Sequence, residues 1–121
     1  EGHEVIDCGP DDDERVDYPD YAKAVCEKVA SGHASFGVLV CGTGIGMAIA
    51  ANKVCGIRAA NIVREDFAAL AREHNDANVI TLSGRFVTFD ENRKILDAFL
   101  STAFGGGRHA GRVAKIMALE G

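Results

Sequence analysis

The run Val38-Leu39-Val40-Cys41-Gly42-Thr43-Gly44-Ile45-Gly46-Met47 constrains this chain more than any other stretch. An apolar segment ends in a cysteine, turns through alternating glycines, and opens into small and apolar residues that read as a helix. In an open α/β sheet, ligands bind outside the carboxyl ends of the strands. Glycines let backbone N–H groups approach an anion closely, and a helix N-terminus supplies more of them. Cys41 therefore stands beside a candidate anion cradle, where a helix N-terminus favours the thiolate of a neighbouring cysteine. The competing reading is a tightly packed glycine turn beside a buried structural cysteine, since free cysteine is often simply buried.

Familiar loop types fail on spacing. A dinucleotide fingerprint needs a third glycine where Met47 stands. A nucleotide P-loop needs a lysine and a hydroxyl, and Ala48 and Ile49 supply neither. A thiol-phosphatase loop needs an arginine at position 47, again occupied by Met47. An anion-cradling turn with a thiol at its mouth remains.

The chain has 121 residues, the size of one domain with a genuine core. Its net charge of -5 argues against a sequence-independent nucleic-acid surface. No apolar run approaches the length of a membrane span. Cys8, Cys26, Cys41 and Cys55 form no C-x-x-C pair, so zinc spacing is absent. Three of them lie in or beside apolar periodic segments. Reduced thiols in a cytoplasmic protein are expected, without a disulfide framework.

Taken in order, His3-Glu4-Val5-Ile6-Asp7-Cys8 reads as a short strand ending at Gly9-Pro10. Asp11-Asp12-Asp13-Glu14-Arg15 reads as a solvated acidic loop, with metal binding the weaker alternative. Asp17 is placed to cap a helix with Pro19 in its first turn, carrying Tyr21, Ala22, Val25 and Val29 at helical spacing and closed by Gly32. Strands are expected at 36–40, 57–63 and 79–82. Helices are expected at 45–54 and at 65–73, the latter with Phe67, Leu70 and Ala71 on its apolar side. His74-Asn75-Asp76-Ala77-Asn78 reads as a polar loop. Thr88-Phe89-Asp90-Glu91 fits a capping box opening a helix with Ile95, Leu96, Phe99 and Leu100. Gly105-Gly106-Gly107 breaks the chain before a final helix at 108–119. Strands alternating with helices imply a parallel sheet covered on both faces.

Several polar residues have two readings each. His74 suits a helix C-terminal cation as well as a catalyst. Arg108 and Arg112 share one helix face beside the glycine break, suiting a phosphate or a plain solvated face. Arg85, just after a strand, is an anion contact or ordinary surface. Tyr18 is a ligand contact or a packing anchor at the helix start. Together, a thiol, a cradling loop, a histidine and several arginines suggest a small phosphorylated substrate.

The motifs Asp17-Tyr18-Pro19-Asp20-Tyr21, Cys41-Gly42-Thr43-Gly44-Ile45-Gly46, Ala51-Asn52-Lys53, Gly56-Ile57-Arg58-Ala59, Glu73-His74-Asn75-Asp76-Ala77-Asn78-Val79 and Gly106-Gly107-Arg108-His109 occur in that order. Jointly the chain resembles ribose-5-phosphate isomerase type B, a family that includes the galactose-6-phosphate isomerase subunits. The resemblance implies an α/β, Rossmann- or flavodoxin-like three-layer sandwich with strand order 2-1-3-4-5. It implies interconversion of ribose 5-phosphate and ribulose 5-phosphate through an enediolate, in the pentose phosphate pathway, with no metal and no organic cofactor. It makes Cys41 the base that moves a proton between C1 and C2. The N–H groups of Gly42, Thr43, Gly44, Ile45 and Gly46 then stabilise the enediolate oxygen, and Thr43 orients the reacting oxygens. His74 matches the histidine that assists ring opening, and Asn75 a substrate contact. Arg85, Arg108 and Arg112 match phosphate ligands, and Tyr18 a residue lining the site. A homodimer or homotetramer is implied, with sites built across the subunit boundary. The whole of 1–121 then reads as one sugar-phosphate isomerase domain.

Relative to that family, the first strand and helix, with an Asp-His pair at the strand's end, have no counterpart before Glu1. If the chain begins at Glu1, reduced stability and weak or absent isomerase activity are expected, because its own first strand loses a neighbour. Two alternatives stay open. One is isomerisation of a hexose 6-phosphate of the galactose or allose type, which the cysteine disfavours. The other is a sugar-phosphate-binding protein without catalysis.

Overall fold

The computed structural model describes residues 3–9 and 17–121. The expected acidic loop at 11–15, and any metal it holds, lies outside the described residues. We number the elements α1 (Tyr18–Ala30), β1 (Gly37–Cys41), α2 (Ile45–Ala51), β2 (Ala59–Asn61), α3 (Glu65–Asn75), β3 (Val79–Ser83), α4 (Phe89–Ser101) and α5 (Arg108–Ala118).

The three described strands form one parallel sheet in the order β1-β3-β2. This corrects the expected sequential order, because the last strand is inserted between the two before it. β3 hydrogen-bonds to a strand on each side, and all five of its residues are buried. In its run Val79-Ile80-Thr81-Leu82-Ser83, Thr81 and Ser83 alternate with Ile80 and Leu82 as in a half-exposed strand, yet both are buried and their hydroxyls are bonded within the protein.

Alternate residues of the strands feed two cores. On one face Leu39 and Val79 pack with Ala22, Cys26 and Val29 of α1 and with Met47 and Ala51 of α2. On the other, Ile80 and Leu82 pack with Ala68 and Ala71 of α3 and with Ile95 and Phe99 of α4. The α/β three-layer arrangement is therefore as expected. β1 is covered on only one face. Val38 and Val40 point the other way and are 37% and 54% exposed.

Several local readings change. Residues 3–9 form no strand. Nothing described lies beside them to complete a ladder, Val5 and Ile6 are exposed, and Asp7 Oδ1 accepts the Gly9 N–H at 2.9 Å in a local turn. Asp17 occupies the N-cap position of α1, but its side chain makes no capping bond. α2 stops at Ala51, where the expected helix ran to 54. β2 is limited to three residues, because Asn52 holds Ala59 through both its N–H and its carbonyl. α3 buries Ala68, Ala71 and Arg72 rather than Phe67 and Leu70, which stay exposed. The capping box at Thr88 forms, with its hydroxyl accepting the Glu91 N–H at 3.2 Å.

Phe99 is fully buried and meets Phe36 edge-to-face at 5.4 Å between ring centroids. Phe99→Ala should cost about 3–5 kcal/mol, read as a lower denaturant midpoint at unchanged slope. Cys26 is fully buried, and that burial pushes its thiol from 9.0 up to about 11. The folded state thus keeps a proton that the unfolded chain releases. This contribution is intact below pH 9.0 and is lost as pH rises toward about 11. Stability should fall by up to about 1.4 kcal/mol per pH unit across that window. The Cys26→Ala variant should lack this slope; an identical slope would refute the assignment.

Candidate functional site

The carboxyl ends of β1 and β3 lie side by side, with Cys41 paired to Ser83. The chain leaves β1 and turns back through Gly42, Thr43 and Gly44. Ser83 is buried and clamps that turn: its hydroxyl donates to the Gly42 carbonyl at 2.7 Å and accepts the Phe86 N–H at 3.0 Å. The Gly84 N–H donates to the Cys41 carbonyl at 2.8 Å, and the Arg85 N–H to the Gly42 carbonyl at 3.1 Å. The thiol loop is therefore pinned to the end of the central strand.

Within the loop, the Gly44 N–H points at Cys41 Sγ from 3.2 Å. The bond sets an N–H dipole against the sulfur from within its own turn. Gly44 has φ +86°, and a Cβ there would crowd Asn61 Oδ1 and lie 3.1 Å from the Leu82 carbonyl oxygen. Both facts require glycine. The first helical bond of α2 runs from the Ala48 N–H to the Gly44 carbonyl. The N–H groups of Ile45, Gly46 and Met47 thus have no intrahelical acceptor. Ile45 donates to Thr43 Oγ1 at 3.1 Å, which leaves the Thr43 O–H able to donate outward.

Two expected partners come to this loop. A Cβ at Gly46 would lie 2.6 Å from the Tyr18 hydroxyl, so that phenol rests on the α2 start. A Cβ at Gly42 would lie 3.6 Å from the Arg85 guanidinium carbon, so Arg85 covers the turn. Cys41, Gly42, Thr43, Gly44, Ile45, Gly46, Tyr18 and Arg85 thus form one cluster.

His74, Asn75, Arg108 and Arg112 form another. His74 and Asn75 stand in the last turn of α3, not in the expected loop. The helix runs on to them because Asp76 closes it in the left-handed conformation, with φ 48°. The start of α5 is drawn to the same place, since the Gly105 N–H donates to the Glu73 carbonyl at 2.9 Å. The His74 and His109 rings stack with centroids 4.3 Å apart. Partial burial, then repulsion from His74, Arg108 and Arg112, holds His109 below the ordinary imidazole range, with Glu73 opposing.

The two clusters stand at opposite ends of the sheet. α3 starts after the carboxyl end of β2 and finishes just before Val79, where β3 begins. Val79 and Ser83 are separated by the length of β3, roughly 13 Å at 3.3 Å per residue. Within one chain the thiol loop and the histidine–arginine arm do not meet.

Sequence reasoning missed His109, Asn61 and Ser83 as site residues. His109 adjoins Arg108 after the glycine break, and Asn61 and Ser83 are the small polar residues that end two apolar strands. Position at a strand's carboxyl end was the available signal for the last two.

Comparisons with known proteins agree on one family. A family model described as Ribose/Galactose Isomerase matches residues 1–116. Ribose-5-phosphate isomerase B of Escherichia coli is 47% identical over 119 residues, covering 98% of this chain and 80% of that protein. A ribose-5-phosphate isomerase B structure from Clostridium thermocellum superposes with TM-score 0.96 at 50% identity, covering 98% of this chain and 80% of that one. A crystal structure of ribose-5-phosphate isomerase B from Mycoplasma genitalium, with bound ribulose 5-phosphate, superposes with TM-score 0.91 at 52% identity, covering 96% of this chain and 78% of that one.

The Gly44 N–H bond to sulfur has a direct test. Gly44→Ala should move that N–H away and slow alkylation of Cys41 about tenfold, the equivalent of one hydrogen bond to the reacting sulfur. Unfolding would speed alkylation instead, so the direction separates the two effects. An unchanged rate would show that the bond does not activate the thiol.

Proposed function

This chain belongs to the ribose/galactose isomerase family, and from that premise we propose that it interconverts ribose 5-phosphate and ribulose 5-phosphate. The carrying observation is the Cys41 thiol held at the mouth of a glycine turn, with the Gly44 N–H 3.2 Å from its sulfur. α2 is only seven residues long, so this local bond matters more than a helix dipole.

The reaction then follows from the groups present. In the cyclic aldose, His74 gives a proton to the ring oxygen, the C1–O4 bond breaks, and the anomeric hydroxyl passes its proton to solvent water. Cys41 thiolate removes the C2 proton of the open aldose. The electrons move into the C1 carbonyl, leaving negative charge on O1. The N–H groups of Gly46 and Met47 and the hydroxyl of Thr43 are the donors for that oxygen. Protonation at C1 by the Cys41 thiol, with transfer of the O2 proton to O1, completes the ketose. Arg85, Arg108 and Arg112 take the phosphate, while Tyr18 and Asn75 hold the sugar hydroxyls. Every group in this scheme comes from the protein. Residues 1–121 act as one sugar-phosphate isomerase domain, and the need for a reduced Cys41 fits the cytoplasm.

The separation of the two clusters supports a site completed by a second copy of the chain. A twofold axis that brings the carboxyl sheet end of one protomer to the α5 end of its partner makes two equal sites. Ile45 and Ile49 of α2, with Ile116 of α5 and Leu119 beyond it, are 46–84% exposed apolar side chains near those ends. We assign them to that interface of a homodimer, two of which could build a tetramer.

The test is ribulose 5-phosphate formation by the wild type, by Cys41→Ala and by His74→Ala. Each variant alone should be essentially inactive. Refolded together in equal amounts, they should recover about a quarter of wild-type turnover, since half the dimers are mixed and each carries one intact site. Full turnover by Cys41→Ala would exclude it as the base. No recovery on mixing would exclude the shared site.

A further inference from the structure

One ionic cluster in the fold takes no part in the chemistry above. Asp76 directly follows the His74-Asn75 pair and adopts the left-handed conformation that ends α3. Its carboxylate lies between two arginines. Arg72 Nη1 donates to Oδ1 at 2.8 Å, and Arg58 Nη2 reaches Oδ2 at 3.5 Å. Arg58 Nε also donates to the Asp76 carbonyl at 2.7 Å. Arg72 is only 7% exposed, an unusual position for a guanidinium unless its donors are used. They are used on the Ala77 carbonyl at 2.7 Å and, through Nε, on the Thr102 carbonyl at 3.1 Å, with the plane lying over Phe36.

These bonds converge from three directions. Arg72 comes from inside α3, Arg58 from the start of β2, and Thr102 ends α4. Arg58 further contacts Met117 Sδ of α5 at 3.3 Å. A helix end on the surface normally frays. This one carries the histidine and asparagine of the site, and its cap is clamped by two guanidiniums that exceed any need for solubility.

We propose that Asp76, held between Arg58 and Arg72, is the positioning residue of the histidine arm. It fixes the last turn of α3 and so sets where His74 stands against the ring oxygen. This rests on the reading that His74 opens the ring. α5 meets this turn at Gly105–Glu73 but is also held away from it, through Gly56–Glu120, so the cap bears first on the histidine of α3.

Asp76→Asn tests this cleanly, because asparagine tolerates the left-handed conformation while removing the charge. Arg58→Lys is the second variant, keeping the charge but losing the fork. Both are compared with His74→Asn in two assays on the full chain. The first is ribulose 5-phosphate formation from ribose 5-phosphate. The second is deuterium uptake from heavy water at C1 of saturating ribulose 5-phosphate. That ketose cannot close a five-membered ring because its O5 carries the phosphate, so exchange needs the base but no ring opening.

Both variants should lower the first rate by on the order of tenfold to a hundredfold and leave the second within about twofold. Unchanged isomerisation, or equal loss in both assays, overturns the proposal. If His74→Asn fails to separate the two rates, the ring-opening reading falls by itself. The proposal is then decided by the imidazole NMR resonances. Asp76→Asn should shift or broaden those of His74 and its stacked neighbour His109, and leave those of His33 in place. Coincident His74 resonances overturn it whatever His74 does.

Discussion

The structure depends on β3 lying between β1 and β2. A strand bonded on both edges and covered on both faces has no solvent-facing side, so every residue in it must be apolar or have its polar atoms satisfied. Val79, Ile80 and Leu82 meet the first condition. Thr81 and Ser83 meet the second, through Asn61 Oδ1 at 2.9 Å and the Gly42 carbonyl at 2.7 Å. The same two hydroxyls reach the neighbouring strand ends. Satisfying the buried strand and shaping the thiol loop are therefore one set of bonds.

That economy extends to the glycines. Gly44 sits where a side chain would meet Asn61 and the Leu82 carbonyl, Gly46 where it would meet Tyr18, and Gly42 beneath Arg85. The loop is close-packed on its protein side, and the backbone N–H groups of its helical start face outward. Close approach of the backbone is what an anion cradle requires. It also explains the short α2: a helix of Ala, Gly, Ile and Met sits flat on the sheet and stops where Asn52 grips β2.

At the other end of the sheet the organising forces are ionic. Arg72 is buried among aromatic rings, and Asp76 is shared between two guanidiniums. A buried ion pair of this kind adds little net stability, but its geometry is exacting because each donor left unpaired is costly. The two sheet ends thus have different characters. One is a backbone cradle with a thiol beneath a single guanidinium, the other an arm with stacked histidines and two arginines. The proposed twofold pairing rests on this separation of the two ends.

Much of this was legible in the sequence, because its signals are local. Alternating strand and helix patterns defined the α/β class. The cysteine before alternating glycines marked the loop, and Thr88 with Glu91 marked the start of α4. Joint motifs pointed to the family that the comparisons then established. What the sequence misjudged was non-local. Residues 3–9 carry a strand pattern but have no ladder partner among the described residues. Phe67 and Leu70 fit an apolar stripe, yet α3 turns Ala68, Ala71 and Arg72 inward against Phe99. The strand order also depends on which neighbour β3 reaches, and that is decided by how α3 crosses the sheet. So the sequence by itself determined the class and the thiol loop, since these follow from short-range spacing. Only the tertiary structure decided that the thiol and the histidine lie at opposite sheet ends, because that separation is set by strand direction and helix length and appears in no local pattern.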